Sequence, residues 1–482
     1  MTWKPDKQLS VTLHTQIVDW FTAQITSGDF TPGMKCPPQR VLALQFEVNR
    51  STINTAIEEL KARGLLETRI GAGTFITENP WQPMLTHPKW NQHIEASVHK
   101  PNIDTIQLIN DYEQRLDMIR IGTGELSPEL LPTAQLEHSL QKIVLQSRAI
   151  GYSEPQGSKS LRESLCIHLK KRGIETTPRN ILIVSGALQA LQLIALGLLE
   201  KGSVVFHHKA SYLNSIHPFQ SAGMQMVTVK PHKQLKQILQ MAKRNRQSLY
   251  YAIPTLDNPT GRNWSTEEKT TVYEACKELS IPIIEDDVYY ELLFEQTEEQ
   301  PLKALDQNGQ VLSIGSVSKT LSPGLRIGWI VAPEAVIKHL ADIKMQTDYG
   351  SSAFSQEIVT YWLTSGLYEQ HLVQLRNQLK QRAKFVEDLL EQYVQDIASW
   401  EQPKGGFYIW LRFDKPVINK ALFLELLQHK VLINPGYIYQ PNDFHHLRFS
   451  YAYATFEQLE EGIKILTTLV QSKLTHSDEK NG

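Results

Sequence analysis

Cysteine is scarce in this chain: Cys36, Cys166 and Cys276 are the three in 482 residues. An odd, scattered set argues against a disulfide framework and a cysteine-based zinc site. Histidine is commoner, at 16, but no H-x-x-x-H or related ligand spacing occurs, so no metal centre is expected. Charge of one sign is also missing. Lys and Arg total 49 against 51 for Asp and Glu, a net charge of −2, so no global basic field marks the chain for nucleic acid or anionic membrane. Long apolar runs are absent as well. The opening MTWKPDKQLS has no apolar stretch, and the most apolar segment, 181–199, is interrupted by Ser185, Gln189 and Gln192. A bilayer span needs about 20 apolar residues. The expectation is a soluble cytoplasmic protein with no membrane partner. What is present is ordinary globular material: 41% hydrophobic residues and 26 glycines supply a sizeable core. The length fits two to four domains at roughly 150 residues each.

Residues 1–78 read as one unit. Ile17, Val18, Phe21 and Ile25 recur at helical spacing and Gly28 follows as a stop. A short helix fits Gln39 to Phe46, and a second fits Ser51 to Arg63, with Asn49 as N-cap and Gly64 as C-terminal stop. In that second helix Ile53, Ala56, Ile57 and Leu60 share the inward face. Leu65 to Arg69 and Thr74 to Thr77 can pair around a glycine-bearing turn. Three helices and a hairpin make a winged helix-turn-helix plan. The outward, N-terminal part of the second helix offers Arg50, Ser51, Thr52 and Asn54, the short polar groups that a recognition helix brings to base edges and phosphates. Arg40 and the hairpin tip at Gly71 could reach the flanking backbone. Eight positive and eight negative side chains leave the unit neutral, so the pattern alone fits a protein-contact module as well as a DNA reader.

Residues 79–115 carry four prolines and no glycine and read as a linker, with room for one helix near its end. From 116 to about 475, apolar runs alternate with amphipathic stretches. Ile181–Val184, Val204–Phe206, Leu249–Ile253, Ile281–Ile284 and Val311–Ile314 are the strand-like runs. That alternation predicts an α/β unit with a mostly parallel sheet.

Several residues lie at or just past the ends of those strands. Lys319 follows Ser316 and Ser318 and precedes Arg326, a combination that suits an amine beside a phosphate. Asp286 closes an apolar run, where open α/β sheets place ligands, and Tyr289 follows it. Asn258 sits in an Asn-Pro-Thr-Gly turn. Ser185, Gly186 and Ala187 open a helix whose free N–H groups form an anion site. Tyr212 could stack on a flat ring. Each piece alone fits an ordinary strand-end loop or core packing. Together they match a pyridoxal phosphate site: an amine for a Schiff base, an acid beside the pyridine nitrogen, donors to the ring hydroxyl, and a phosphate cup.

The run from S-G-D-F-T-P-G to I-G-A-G-T-F-I closely resembles the GntR-type winged helix-turn-helix. The resemblance implies that Arg40, Arg50, Ser51, Thr52 and Gly71 touch double-stranded DNA, and Asn49 and Asn54 complete the candidate face. Cys36 and Asn54 depart from the usual pattern, the second leaving the operator sequence open. Residues 116–470 resemble the fold-type-I, class I and II aminotransferases. Y-S-E-P-Q-G-S-K-S-L-R, S-G-A-L-Q-A-L, N-P-T-G, E-D-D-V-Y, S-V-S-K-T-L-S-P-G-L-R-I-G-W and L-R-F-S-Y-A carry that likeness. It implies a smaller C-terminal α+β subdomain, Lys319 as the Schiff-base lysine, Asp286 at the pyridine nitrogen, and Asn258 and Tyr289 at the ring hydroxyl. It further implies Ala187, Leu188, Ser316 and Arg326 at the phosphate, Tyr152 reaching the phosphate of a neighbouring subunit, and Arg448 clamping a substrate carboxylate. The H-H-K-A-S-Y segment ending at Tyr212 departs from the acidic-proline run usual there. The two halves together look like the MocR group of bacterial transcriptional regulators. That resemblance implies a homodimer that binds operator DNA and senses an amino compound or the cofactor. The alternative is a working aminotransferase with a fused DNA reader.

Overall fold

The computed structural model describes residues 3–7, 9, 11–69, 72–77, 96, 97, 99, 101–146, 151–230, 234–295 and 300–479. The chain separates into two compact units, 1–100 and 101–482.

In the first unit, α1 (Leu13–Ser27), α2 (Gln39–Phe46) and α3 (Arg50–Ala62) precede an antiparallel hairpin of β1 (Leu66–Arg69) and β2 (Gly73–Ile76). The helical spacing of Ile17, Val18 and Phe21 buries them against Ile53, Ala56, Ile57 and Leu60 of α3 in one core. Each large apolar side chain so buried contributes roughly 1.5–3 kcal/mol. Gly28 ends α1 at φ +83°, with its N–H on the Ile25 carbonyl. Asn49 is the N-cap of α3 by position, but its side chain makes no cap hydrogen bond. The hairpin tip at Gly71 lies outside the described residues.

The second unit is built on a seven-stranded sheet. Its strands are β3 (Ile181–Val184), β4 (Val204–His207), β5 (Gln225–Thr228), β6 (Ser248–Ala252), β7 (Ile283–Asp286), β8 (Val311–Ser316) and β9 (Gly328–Val331), in the order β3-β9-β8-β7-β6-β4-β5. Only β9 runs against its neighbours, so β3, β6, β7 and β8 end at the same edge. Their continuous apolar sequences follow from burial on both faces. Leu182 and Val184 pack with Leu191 and Ile194 of the helix α5 (Ala187–Leu198), while Ile181 and Ile183 face Leu161 and Trp362. A smaller antiparallel sheet of β10 (Ala398–Ser399), β11 (Tyr408–Phe413), β12 (Asn434–Pro435) and β13 (His446–Ser450) packs with α6 (Leu367–Tyr393) and α7 (Phe456–Glu479).

The helix allowed for near the end of the linker segment is present, and one expected strand shifts. Residues 104–112, inside the segment read as linker, form α4 (Asp104–Tyr112), whose Ile106 and Ile109 are buried in the same core as Leu379 and Phe449. The expected strand Ile281–Ile284 is shifted to β7, so Asp286 is the last residue of the strand itself. Among the described residues, no helix is long and apolar enough to cross a membrane.

Candidate functional site

The shared edge of β3, β6, β7 and β8 opens on a cavity of 370 Å³. Ala187, Leu188, Tyr212, Asn258, Asp286, Tyr289, Ser316, Ser318, Lys319, Arg326 and Arg448 all line it. Six chain segments deliver them: five end or follow parallel strands of the large sheet, whose loops converge at one edge, and Arg448 comes from β13 of the small sheet.

Asp286 is buried, with one oxygen, Oδ2, accepting from the Tyr251 hydroxyl at 2.8 Å. Its Oδ1 is buried with no partner, and an unsatisfied carboxylate oxygen away from water is costly. Burial pushes its pKa up to about 6, against the pull of the Tyr251 hydroxyl, the Lys319 charge and the Val288 backbone N–H. The folded protein therefore holds this proton to higher pH than the unfolded chain, whose aspartates ionise near pH 4. Without ligand, stability is expected to fall as pH rises from about 4 to about 6, by roughly 1.4 kcal/mol per unit of pKa difference, and then to level. Asp257, pushed up to about 7 by burial, adds a slope of the same sign that extends higher. Asp286→Asn should flatten the lower part of the curve, and unfolding midpoints of cofactor-free protein across that range check it.

Lys319 Nζ donates to the Gly124 carbonyl at 2.6 Å and lies 6.0 Å from the Tyr289 ring centroid. Arg326 donates to the Ser185 carbonyl at 2.7 Å, beside the start of α5. Gly186 there has φ +86°, and a Cβ would meet the Arg326 guanidinium at 2.9 Å. The positive φ is what requires glycine here, since the guanidinium is the end of a flexible side chain. Ser316 Oγ is 2.9 Å from the Ile327 carbonyl and 3.0 Å from Ser318 Oγ. Arg448 is buried; its Nη1 donates to Asn258 Oδ1 at 2.8 Å and its Nη2 to the Gly122 carbonyl at 2.7 Å, while Nε has no partner. Its guanidinium lies 4.1 Å over the Tyr408 ring centroid, and the Tyr408 hydroxyl is 2.9 Å from that of Tyr289.

Not every expected residue comes to the cavity. Ser185 does not line it: its N–H is taken by Gln189 Oε1 at 2.6 Å and its hydroxyl by Asp348 at 3.0 Å. The free N–H groups are those of the α5 start after it. Tyr152 is 84% exposed and lines a different cavity, with its ring 4.9 Å from that of Tyr349. Conversely, Tyr251, Tyr408, Tyr439 and Asn434 enter the site without any advance signal. Tyrosines in an apolar strand read as core, and only strand register puts Tyr251 against Asp286.

In the first unit, Arg40, Asn49, Arg50, Ser51 and Asn54 are exposed and Thr52 is half-buried. Lys4, Lys61, Arg63 and Arg69 are paired with Glu47, Glu58, Glu59 and Glu67. Arg40 and Arg50 make no ion pair among the described residues. A neutral unit therefore still presents uncompensated positive charge at the start of α3.

This is the fold of an aminotransferase-type unit, with a lysine, a buried carboxylate and two arginines around one cavity, on a chain that also carries a winged helix-turn-helix. Residues 117–466 match the family model of aminotransferase class I and II, and residues 13–76 that of the bacterial regulatory proteins of the gntR family. The chain is 46% identical over 467 residues, 96% of both chains, to the uncharacterized HTH-type transcriptional regulator YisV of Bacillus subtilis (strain 168). It is 36% identical over 444 residues to the HTH-type transcriptional regulator NorG of Staphylococcus aureus (strain N315), covering 91% of this chain and all of the relative. Among solved structures, a kynurenine aminotransferase of Pyrococcus horikoshii in complex with PMP superposes with a TM-score of 0.72 at 26% identity, over 78% of this chain and 96% of that one. The protein belongs to the HTH-type transcriptional regulators of MocR type, which join a gntR-family unit to an aminotransferase class I and II unit.

Proposed function

We propose that this regulator holds pyridoxal 5'-phosphate in its second unit, reads an amino compound there, and binds operator DNA as a cytoplasmic homodimer through its first unit. The observation that carries the cofactor is Asp286, which lines the same cavity as Lys319 and keeps a buried oxygen, Oδ1, without a partner. A protonated pyridine nitrogen would satisfy that oxygen. Gly186, the start of α5 and Arg326 form a cradle for a phosphate, with Ser316 and Ser318 beside it. Tyr212 flanks the cavity as a surface for a flat ring, and Tyr289 and Asn258 offer groups to a ring hydroxyl. When bound, the cofactor supplies an aldehyde for covalent attachment and an electron-withdrawing ring. Lys319 supplies the attaching amine, and once released by an incoming amine it can take or give a proton. Arg448, oriented by Asn258 and Gly122, presents its remaining donors to a carboxylate. Tyr152, exposed at the surface, suits a reach to the phosphate of a second subunit.

Release of Lys319 changes the charge and hydrogen bonding at Gly124, which gives a ligand a way to favour one arrangement of the protein over another. Turnover is the second reading, because every group needed for half-transamination faces the cavity; multiple rounds of amino transfer to 2-oxo acids would favour it.

The regulator reading is tested by footprinting on the DNA upstream of the protein's own gene. Protection of two half-sites is expected. Arg50→Ala should weaken binding by about 1–3 kcal/mol if the side chain meets a base edge, and Arg40→Ala should lower the salt slope by about one. No protection, with or without cofactor and amines, would overturn it.

A further inference from the structure

A second cavity, of 610 Å³, is larger than the first and lies beyond the 257–260 turn, between the large sheet and the small one. Its walls are two stacked aromatic pairs. His208 lies 4.8 Å from Trp264 with 19° between planes, and His446 lies 5.0 Å from Trp410 with 11° between planes. His208 Nε2 is buried with no hydrogen-bond partner. Lys209, Lys230 and Arg412 stand among the lining residues. The two lysines make no ion pair among the described residues, and Arg412 reaches only the exposed Asp414, at 3.6 Å. Of the acids present, Glu268 is engaged by Arg262 at 2.5 Å and Asp257 accepts from the Thr260 hydroxyl at 2.6 Å. Glu401 and, outside the lining, Asp414 are left against three cations, and Asp257, whose pKa burial pushes up to about 7, adds only part of a negative charge, so a modest positive surplus remains. Flat apolar walls, a buried unsatisfied ring nitrogen and surplus positive charge suit a planar ring that carries an anionic group.

The cavity is also wired to the first site. Tyr408, Trp410 and Arg412 alternate onto one face of β11, with Arg448 opposite Trp410 and His446 opposite Arg412 on β13. Trp410 lies 6.0 Å from the Tyr439 ring, and the Arg448 guanidinium lies 5.1 Å over that same ring. A ligand seated against His446 and Trp410 therefore presses on a packed column that ends at Arg448. The 257–260 turn makes a second route, since Asp257 lines this cavity and the next residue, Asn258, holds Arg448.

We infer that this cavity is a second small-molecule site, that it takes a flat aromatic anion, and that its occupancy is felt at Arg448. The last clause rests on the function proposed above; the binding does not. Calorimetric titration of the full-length, cofactor-loaded protein with indole-3-acetate, adenosine monophosphate and the neutral indole-3-ethanol separates them. At least one anion should bind saturably, about tenfold more tightly than indole-3-ethanol and about tenfold more tightly than to the Lys230→Gln/Arg412→Gln variant. Binding of only the first probe assigns a carboxylate, and of only the second a phosphate. Binding should persist in Lys319→Ala. Absence of saturation with both anions, equal binding of the neutral probe, or indifference to the double variant would overturn the site. Loss of binding in Lys319→Ala would locate the probe in the first cavity and overturn it equally. With the second site saturated, the affinity for an α-amino acid should shift severalfold; no shift overturns the coupling while leaving the binding standing.

Discussion

Purified Lys319→Ala is expected to be colourless, where the parent protein carries the visible absorbance of an attached cofactor. The side chain is half-buried and its one hydrogen bond is to the Gly124 carbonyl, so its removal opens no core cavity and the fold should survive. The phosphate cradle at Gly186 and Arg326 is untouched, so the variant should still bind the cofactor reversibly. What disappears is the covalent link, and with it the group that moves protons when an amine exchanges. Amine exchange should slow by about 10²- to 10⁴-fold, the range that a positioned acid–base group supplies. Borohydride treatment followed by peptide mapping checks the link directly: the parent should carry the cofactor's mass on the peptide containing Lys319, and the variant on none. Lys319→Arg keeps a positive charge near Asp286 but cannot attach, so it should behave as the alanine variant does. A variant that stayed coloured, and whose promoter response to amines was intact, would remove the basis of the proposed function.

The positions of Lys319 and Asp286 at the sheet edge were legible in the sequence. Both lie at the ends of short apolar runs alternating with helical segments, and parallel strands bring their ends together wherever they sit in the chain. The same holds for α3, whose Ile53, Ala56, Ile57 and Leu60 keep the helical period without a break. The edge strand β5 escaped because Gln225 and Thr228 at its ends are polar and exposed, and β9 because antiparallel insertion between β3 and β8 has no local signature. The Ser185 N–H could not be foreseen as occupied, since its partner Gln189 is a helix residue that would ordinarily face outward. Tyr251 reaches Asp286 across 35 residues of chain, and pairings at that range exist only once register is known. The neutral charge of the first unit misled in the opposite direction. The sum of charges says nothing of which ones are already paired; among the described residues Arg40 and Arg50 are in no ion pair, and neither are Lys7 and Lys35.

Arg448→Gln should erase the protein's preference for amines that bear a carboxylate. The parent should bind an α-amino acid far better than the matching simple amine, for example alanine against ethylamine, as read by the spectral change each causes. The difference between the two is the carboxylate's contribution. Arg448 is 5% exposed, stacked between Tyr408 and Tyr439 and fixed by Asn258 and Gly122, so its donors are pre-aimed and little ordering is left for the ligand to drive. Losing one partner of such a buried, hydrogen-bonded charge pair costs about 2–5 kcal/mol, roughly 30- to 5,000-fold in affinity. Ethylamine should be nearly indifferent to the change, because it never meets the guanidinium. Arg448→Lys should recover little, since a single ammonium cannot reproduce two parallel N–H donors or the stacking. Thermal unfolding of both variants guards against a trivial loss of fold, and so does the ethylamine response, which requires an intact Lys319 and cavity. If alanine and ethylamine fell together, Arg448 would be holding the cavity in shape and not recognising the carboxylate. If neither fell, the carboxylate would have to meet its cation elsewhere, and Arg326 would be the remaining arginine on the wall.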